Sequence, residues 1–289
     1  GMVEDGAGNV WVSDGLGRVI ARVSEDGSRI AIAAREGRGP GEVLSPTLLA
    51  RTPDDGVAVY DLGLNAVNVW RRDGTFDHAV QVEMLVYNPK GFGVARSGEF
   101  VMSGGVLSNE LALHRFSAAG RHLVSWHPAP ATENPRAARL LAGGALTVLA
   151  NDAIVFSDGA AHRIVWFTPD RVPRVIAENP NVAPTMGDNF TWVEGTAPNI
   201  VRKFDWYYRR SHGIAVLQNG AILNVVVDRK NAESVWEVYT PSGQLVARST
   251  IRRAYHVWAL TRGGEVLASY VDADTGEHIA VKLRFRVEA

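Results

Sequence analysis

The 289-residue chain has no cysteine. That excludes disulfides, thiolate nucleophiles and cysteine-based metal sites. It also lacks an excess of either charge. Thirty basic residues against 31 acidic ones leave a formal net charge of −1, so no bulk field draws the protein toward nucleic acid or an anionic membrane. No apolar run reaches the roughly 18 residues of a membrane span. Local catalytic signatures are missing too: there is no Gly-x-Ser-x-Gly, no His-Glu-x-x-His or His-x-x-x-His, and no Lys-Ser/Thr of a phosphate loop. The opening Gly1-Met2-Val3 has no basic or apolar leader. A Gly before Met resembles the remnant of a cleaved tag. The expectation is therefore an export signal upstream and a periplasmic or secreted location.

What is present is a repeat. Gly8-Asn9-Val10-Trp11-Val12-Ser13-Asp14, Gly17-Arg18-Val19-Ile20-Ala21-Arg22-Val23 and Glu25-Asp26-Gly27 return as Gly56-Val57-Ala58-Val59-Tyr60-Asp61, Ala66-Val67-Asn68-Val69-Trp70 and Arg72-Asp73-Gly74. Each copy is an alternating strand ending in Asp, a turn, a second alternating strand and a tight Gly turn. Four weaker copies follow, at 98–120, 153–170, 220–243 and 264–283. The turn glycines Gly27, Gly74 and Gly120 are 47 and 46 residues apart. A period in the mid-forties with period-two alternation is that of propeller blades, not of helical solenoids. Further strands flank each copy, such as Thr47–Arg51 before it and Phe76–Val80 after it. The expectation is an all-β fold: one six-bladed β-propeller domain over residues 1–289, with about four antiparallel strands per blade. The sixth copy stops one strand short. Its blade is then incomplete, or closed by a segment upstream of Gly1.

The stretch Arg35-Glu36-Gly37-Arg38-Gly39-Pro40-Gly41-Glu42-Val43, followed by Ser45-Pro46 and Pro53-Asp54-Asp55-Gly56, resembles the NHL-like six-bladed propellers of bacteria, which carry a Gly-x-Gly-Pro-Gly-Glu linker between early blades. The resemblance is close over the first two blades and elsewhere rests on the repeat alone. It implies the fold and an exported or lipid-anchored setting, and carries over no catalytic residue. Enzymes on related scaffolds include lactonases, strictosidine synthase-like proteins and amidating lyases.

Several residues have both a structural and a functional reading. The recurring Asp14, Asp61, Asp158, Asp228 and Asp272 could ring a cation; the simpler reading is an Asp accepting backbone N–H bonds in its own turn. Arg38 could face the channel mouth, or merely belong to a linker that its glycines bend and Pro40 stiffens. Trp11, Trp70, Trp126, Trp166, Trp236 and Trp258 lie in strands and read as filler between blades rather than a ligand cage. The histidines are scattered. A divalent cation in the central channel would need ligands from several inner strands, and His212 and His256, near the starts of the fifth and sixth inner strands, are its first candidates.

The strongest irregularity is an insertion of roughly 20 residues at about 179–212, between blades four and five. It is rich in large aromatics and arginine. Trp192, Arg202, Trp206, Tyr207, Tyr208 and Arg209, with Arg38, form the candidate ligand-binding set, because aromatic faces beside guanidinium groups suit an organic or anionic ligand. The alternative is a flap packed on blade five. The functional expectation is a monomeric module that binds a small molecule or a protein, with no nucleic-acid partner. The alternative is a hydrolase or lyase with a metal or polar site in the channel. Convergent His, Asp or Glu groups there would favour the enzyme; a bland channel would favour the binder.

Overall fold

The structure, a computed structural model, describes residues 1–129, 138–139, 141–158, 162–178, 209–228 and 231–284. They form six antiparallel sheets. Blade one is β1 (Met2–Glu4), β2 (Val10–Asp14), β3 (Val19–Val23) and β4 (Ile30–Ala34). Blade two is β5 (Pro46–Arg51), β6 (Val57–Asp61), β7 (Ala66–Trp70) and β8 (Phe76–Gln81). Blade three is β9 (Tyr87–Val94), β10 (Phe100–Gly105), β11 (Leu111–Phe116) and β12 (His122–Pro128). Blade four is β13 (Ala145–Val148), β14 (Ile154–Asp158), β15 (Arg163–Phe167) and β16 (Pro173–Glu178). Blade five is β17 (Arg209–Val216), β18 (Ile222–Asp228), β19 (Glu233–Tyr239) and β20 (Leu245–Ile251). Blade six has three strands, β21 (His256–Leu260), β22 (Val266–Val271) and β23 (His278–Leu283).

The first strand of each blade packs against the first strand of the next, and β21 returns to β1, so the inner strands enclose an axial channel. Burial is deepest in the middle of a blade and falls toward its rim strand. Every residue of β6 is buried, whereas β8 is mostly exposed. This gradient follows from stacking: a middle strand is covered on both faces by neighbouring blades, and the rim strand is not.

The core is accordingly divided among the blade interfaces. Trp11 and Ile20 of blade one meet Val57, Val59 and Trp70 of blade two, with the two indoles 5.8 Å apart. Tyr60 and Val67 meet Phe92, Phe100 and Met102 of blade three. Val101 and Leu113 pack on Phe156 and Phe167, Val155 and Ile164 on Ile214 and Ile222, and Leu223 and Trp236 on Val257 and Val266. The filler reading therefore fits Trp11, Trp70 and Trp236. Trp258 departs from it, since it lines the channel.

The interface between blades six and one carries a polar clasp. Arg262, in the turn after β21, donates its backbone N–H to Glu4 Oε2 at 2.7 Å, its Nη1 to the Gly6 carbonyl at 3.0 Å and its Nη2 to Asp55 Oδ1 at 2.7 Å. One residue thereby ties blade six to blades one and two.

The turns follow the sequence reading. Gly27, Gly74, Gly120 and Gly243 all have positive φ, and Arg171 takes the equivalent position in blade four at φ +65°. Asp14 accepts the N–H groups of Leu16 and Gly17, Asp272 those of Asp274 and Thr275, and Asp61 those of Leu64, Leu44 and Ser45. Asp61 thus also anchors the linker from blade one. Asp158 differs: its carboxylate lies 3.5 Å from His127 Nε2 and 3.1 Å from Arg163 Nη2.

Candidate functional site

Strand β17 enters the ring irregularly. Ser211 pairs with Val226 and Gly213 with Val225, which leaves His212 as an extra residue. Such a bulge bends the strand and re-aims a side chain. The adjacent inner strand opens with His256. The two imidazole centroids are 4.3 Å apart at 60°. His256 in turn stacks beside the Trp258 indole, centroids 6.1 Å apart and planes 22° off parallel. The indole Nε1 donates to Ser269 Oγ at 2.9 Å, which fixes that wall. Lys90, Phe92 and Ser211 line the same hollow, a space of about 200 Å³ at this mouth of the channel.

The other half of the channel holds a second hollow of about 220 Å³, walled largely by Val94, Val148, Val216 and Leu260. Its charged groups are already used. Glu4 accepts the Arg262 N–H, and Arg51 is paired with Asp55. A larger hollow, about 880 Å³, lies beyond that end, between the turns of blades two and three. Of the three carboxylates lining it, Asp73 and Asp77 are engaged by Thr75, Arg71 and His78. Size alone therefore does not mark the site; the converging imidazoles do.

Behind the histidine mouth lies a buried polar network. Asn224, 2% exposed, accepts from Ser211 Oγ at 2.8 Å and from Ser157 Oγ of blade four at 3.0 Å. Its Nδ2 donates to Glu237 Oε2 at 3.3 Å, and the Tyr239 hydroxyl donates to the same oxygen at 3.0 Å. His162 Nε2 of blade four lies 3.5 Å from that oxygen. Glu237 is 1% exposed. Burial pushes its pKa up, but His162, Tyr239 and Asn224 outweigh this and hold it below the usual carboxylate range. Burial first, and then the same carboxylate, pushes Tyr239 up.

Of the sequence-nominated ligand set, Arg38 is exposed on the blade-one linker and is not among the residues lining the channel hollows. Trp192, Arg202, Trp206, Tyr207 and Tyr208 lie outside the described residues, and Arg209 is described only as the first residue of β17. His212 and His256, nominated as first candidates for a cation, are brought together. Lys90, Ser211, Asn224, Glu237 and His162 were missed. A signal existed for two of them. Asn224 and Glu237 each interrupt an apolar strand, and they face each other in register. Among the described residues no three His, Asp or Glu side chains gather as a metal site. No described helix is long and apolar enough to cross a membrane.

No protein-family model and no curated protein matches the chain. Solved structures match over most of its length. A catalytically inactive virginiamycin B lyase from Staphylococcus aureus, in which one histidine is replaced by alanine and quinupristin is present, is 13% identical with a TM-score of 0.59, over 96% of this chain and 82% of that one. The calcium-binding protein regucalcin from Agrobacterium tumefaciens is 12% identical with a TM-score of 0.59, over 99% and 91%. A gluconolactonase from Xanthomonas campestris is 14% identical with a TM-score of 0.54, over 91% and 79%. At these identities the likeness is one of fold. Ring, strand order and neighbours together define a six-bladed β-propeller. Its particular character lies in the paired histidines at one mouth of the channel.

Proposed function

We propose that this propeller is a lyase or hydrolase acting on a small organic molecule at the His212–His256 mouth. The observation that carries the reading is the convergence of two imidazoles, from adjacent inner strands, on one hollow. Imidazole changes protonation near neutral pH, so one ring can take a proton from the substrate while the other returns one to the leaving group. Trp258 and Phe92 supply apolar walls, and Lys90 adds positive charge where a developing anion would sit. The neighbouring lyase that one histidine replacement inactivates is coherent with this chemistry. A divalent cation at this mouth would draw nitrogen ligands from the two imidazoles. That donor set suits a transition metal better than calcium, which prefers oxygen.

Trp192, Arg202, Trp206, Tyr207, Tyr208 and Arg209 enter the proposal as ligand contacts because their segment runs directly into Ser211 and His212. Arg38 stays in the proposal only through its linker. That linker also carries the NHL-like, extracytoplasmic part of the reading, with 1–289 as one monomeric domain. A second reading, a binding module without turnover, uses the same mouth and the same insertion.

The test offers quinupristin and an aldonolactone to the protein and follows each by mass. Turnover of one of them is expected, with a loss on the order of 10²–10⁴-fold in H212A and in H256A. Turnover untouched by both replacements would overturn the reading. Retention of a compound without conversion, abolished by the same replacements, would favour the binding module.

A further inference from the structure

We propose that Trp258 is the specificity-determining residue of the histidine mouth, a floor that restricts it to short-chain substrates. The inference rests on the reading of that mouth as the site and deepens it. The two channel hollows share five lining side chains: Leu49, Phe92, Leu146, Ile214 and Trp258. Each comes from a different inner strand, in order β5, β9, β13, β17 and β21. They form one apolar collar across the channel, with the two imidazoles on one side and Val148, Val216 and Leu260 on the other.

One member closes the collar. Strand β21 packs beside β17 and β1, but the Trp258 side chain packs against the core shared by blades two and three. An indole rooted in blade six thus reaches the far side of the ring. Local structure sends it there. Val257 pairs with Ala268 and Ala259 with Leu267, so Trp258 is the extra residue of a bulge, and bulges re-aim side chains. Its Nε1 donates to Ser269 Oγ at 2.9 Å, and its ring lies 22° from parallel with that of His256. A large, rigid ring held at its polar end makes a firm floor, set beside one of the two imidazoles. The hollow above it, about 200 Å³, is smaller than the roughly 300 Å³ at which pockets begin to enclose drug-sized molecules. A short alkyl or acyl group fits there; a long one meets the indole.

The probe is a series of straight-chain alkanols, from butanol to decanol, titrated into the wild-type protein and Trp258→Ala. The readouts are the imidazole resonances of His256, above the floor, and the methyl resonances of Val148 and Val216, below it. In the wild type, alkanols should displace His256 alone, and affinity should stop rising once the chain reaches the indole. In W258A, the longer alkanols should displace both sets, and affinity should keep rising by about fourfold per added methylene. Trp258→Leu, which keeps an apolar side chain in the collar, repeats the test if the alanine variant does not fold. Far-side displacement or an unbroken rise in affinity in the wild type would overturn the proposal, as would no far-side displacement in the variant at any chain length. The titration needs no turnover, so the floor can stand while the assigned chemistry fails, and the reverse.

Discussion

Blades one and five each bury a carboxylate, and the two are held differently. Asp5, with 0% exposure, receives the N–H groups of Ala7 and Asn9, the Asn9 amide, the Trp11 indole N–H at 2.9 Å and Arg22 Nε at 3.0 Å. All these donors belong to its own blade. Glu237 draws on Asn224 and Tyr239 within its blade but on His162 from the next, and its network ends at the channel wall. A buried charge is costly unless fully bonded, so the position of its partners indicates what the cost secures. Around Asp5 it secures the shape of one blade. Around Glu237 it secures the relation between two blades and the strand that carries His212.

Four measurements sharpen or break this contrast. Asp5→Ala should have the largest effect, about 3–5 kcal/mol of unfolding free energy by urea titration, because it strands the Trp11 indole and two backbone donors and leaves Arg22 held only by the Asp73 and Arg72 carbonyls. The His212 and His256 resonances should nevertheless keep their folded positions under native conditions. Glu237→Ala should cost about 3 kcal/mol and displace the His212 resonances as well; a purely thermal effect would remove the distinction between the two carboxylates.

The third measurement is pH. Hydrogen bonds hold both carboxylates below their ordinary range against the opposing pull of burial. Their contribution is thus present above the unfolded value of about 4 and is lost as pH falls through the folded one. His114 acts in a higher window. Buried between Ser125 and the Gly104 carbonyl, it is pushed down from 6.5 to about 4, first by desolvation. The unfolded chain binds that proton first, so stability is full above about 6.5 and declines between 6.5 and 4, by up to about 3 kcal/mol. Replacing His114 with Gln should flatten that stretch of the curve and leave the carboxylate limb below pH 4.

Smaller effects are expected from single donors: Tyr239→Phe removes one donor from Glu237 at a cost of about 1 kcal/mol. Trp11→Phe takes one donor from Asp5, whose remaining donors should limit the loss attributable to that bond to less than in Y239F. The comparison is made by double-mutant cycles with E237A and D5A.

Much of the ring was legible because its strands alternate with period two and end on Gly or Asp turns. Thr47–Arg51 was read one residue short of the observed Pro46–Arg51, and Trp11 and Trp70 fill the interface between blades one and two, as strand tryptophans were expected to. Two inner strands escaped. Met2–Glu4 is only three residues long, and Ala145–Val148 is too short to show alternation. The site was legible in part. Inner-strand position was enough to nominate His212 and His256. The bulge, the 4.3 Å approach and the partnership of Glu237 with His162 arise from register and blade packing between residues remote in the chain. A polar residue inside an apolar strand also looks, from sequence alone, like one that faces solvent.

The Arg262 clasp bears on how the ring would come apart. Two bonds from Arg262 span the junction where the first and last blades meet, and a third reaches blade two, while each of the other five junctions holds one of the buried apolar clusters. Salt screens a half-exposed guanidinium–carboxylate pair such as Arg262–Asp55 but not buried indole packing. Amide exchange under mild urea should begin at this seam and spread outward from it.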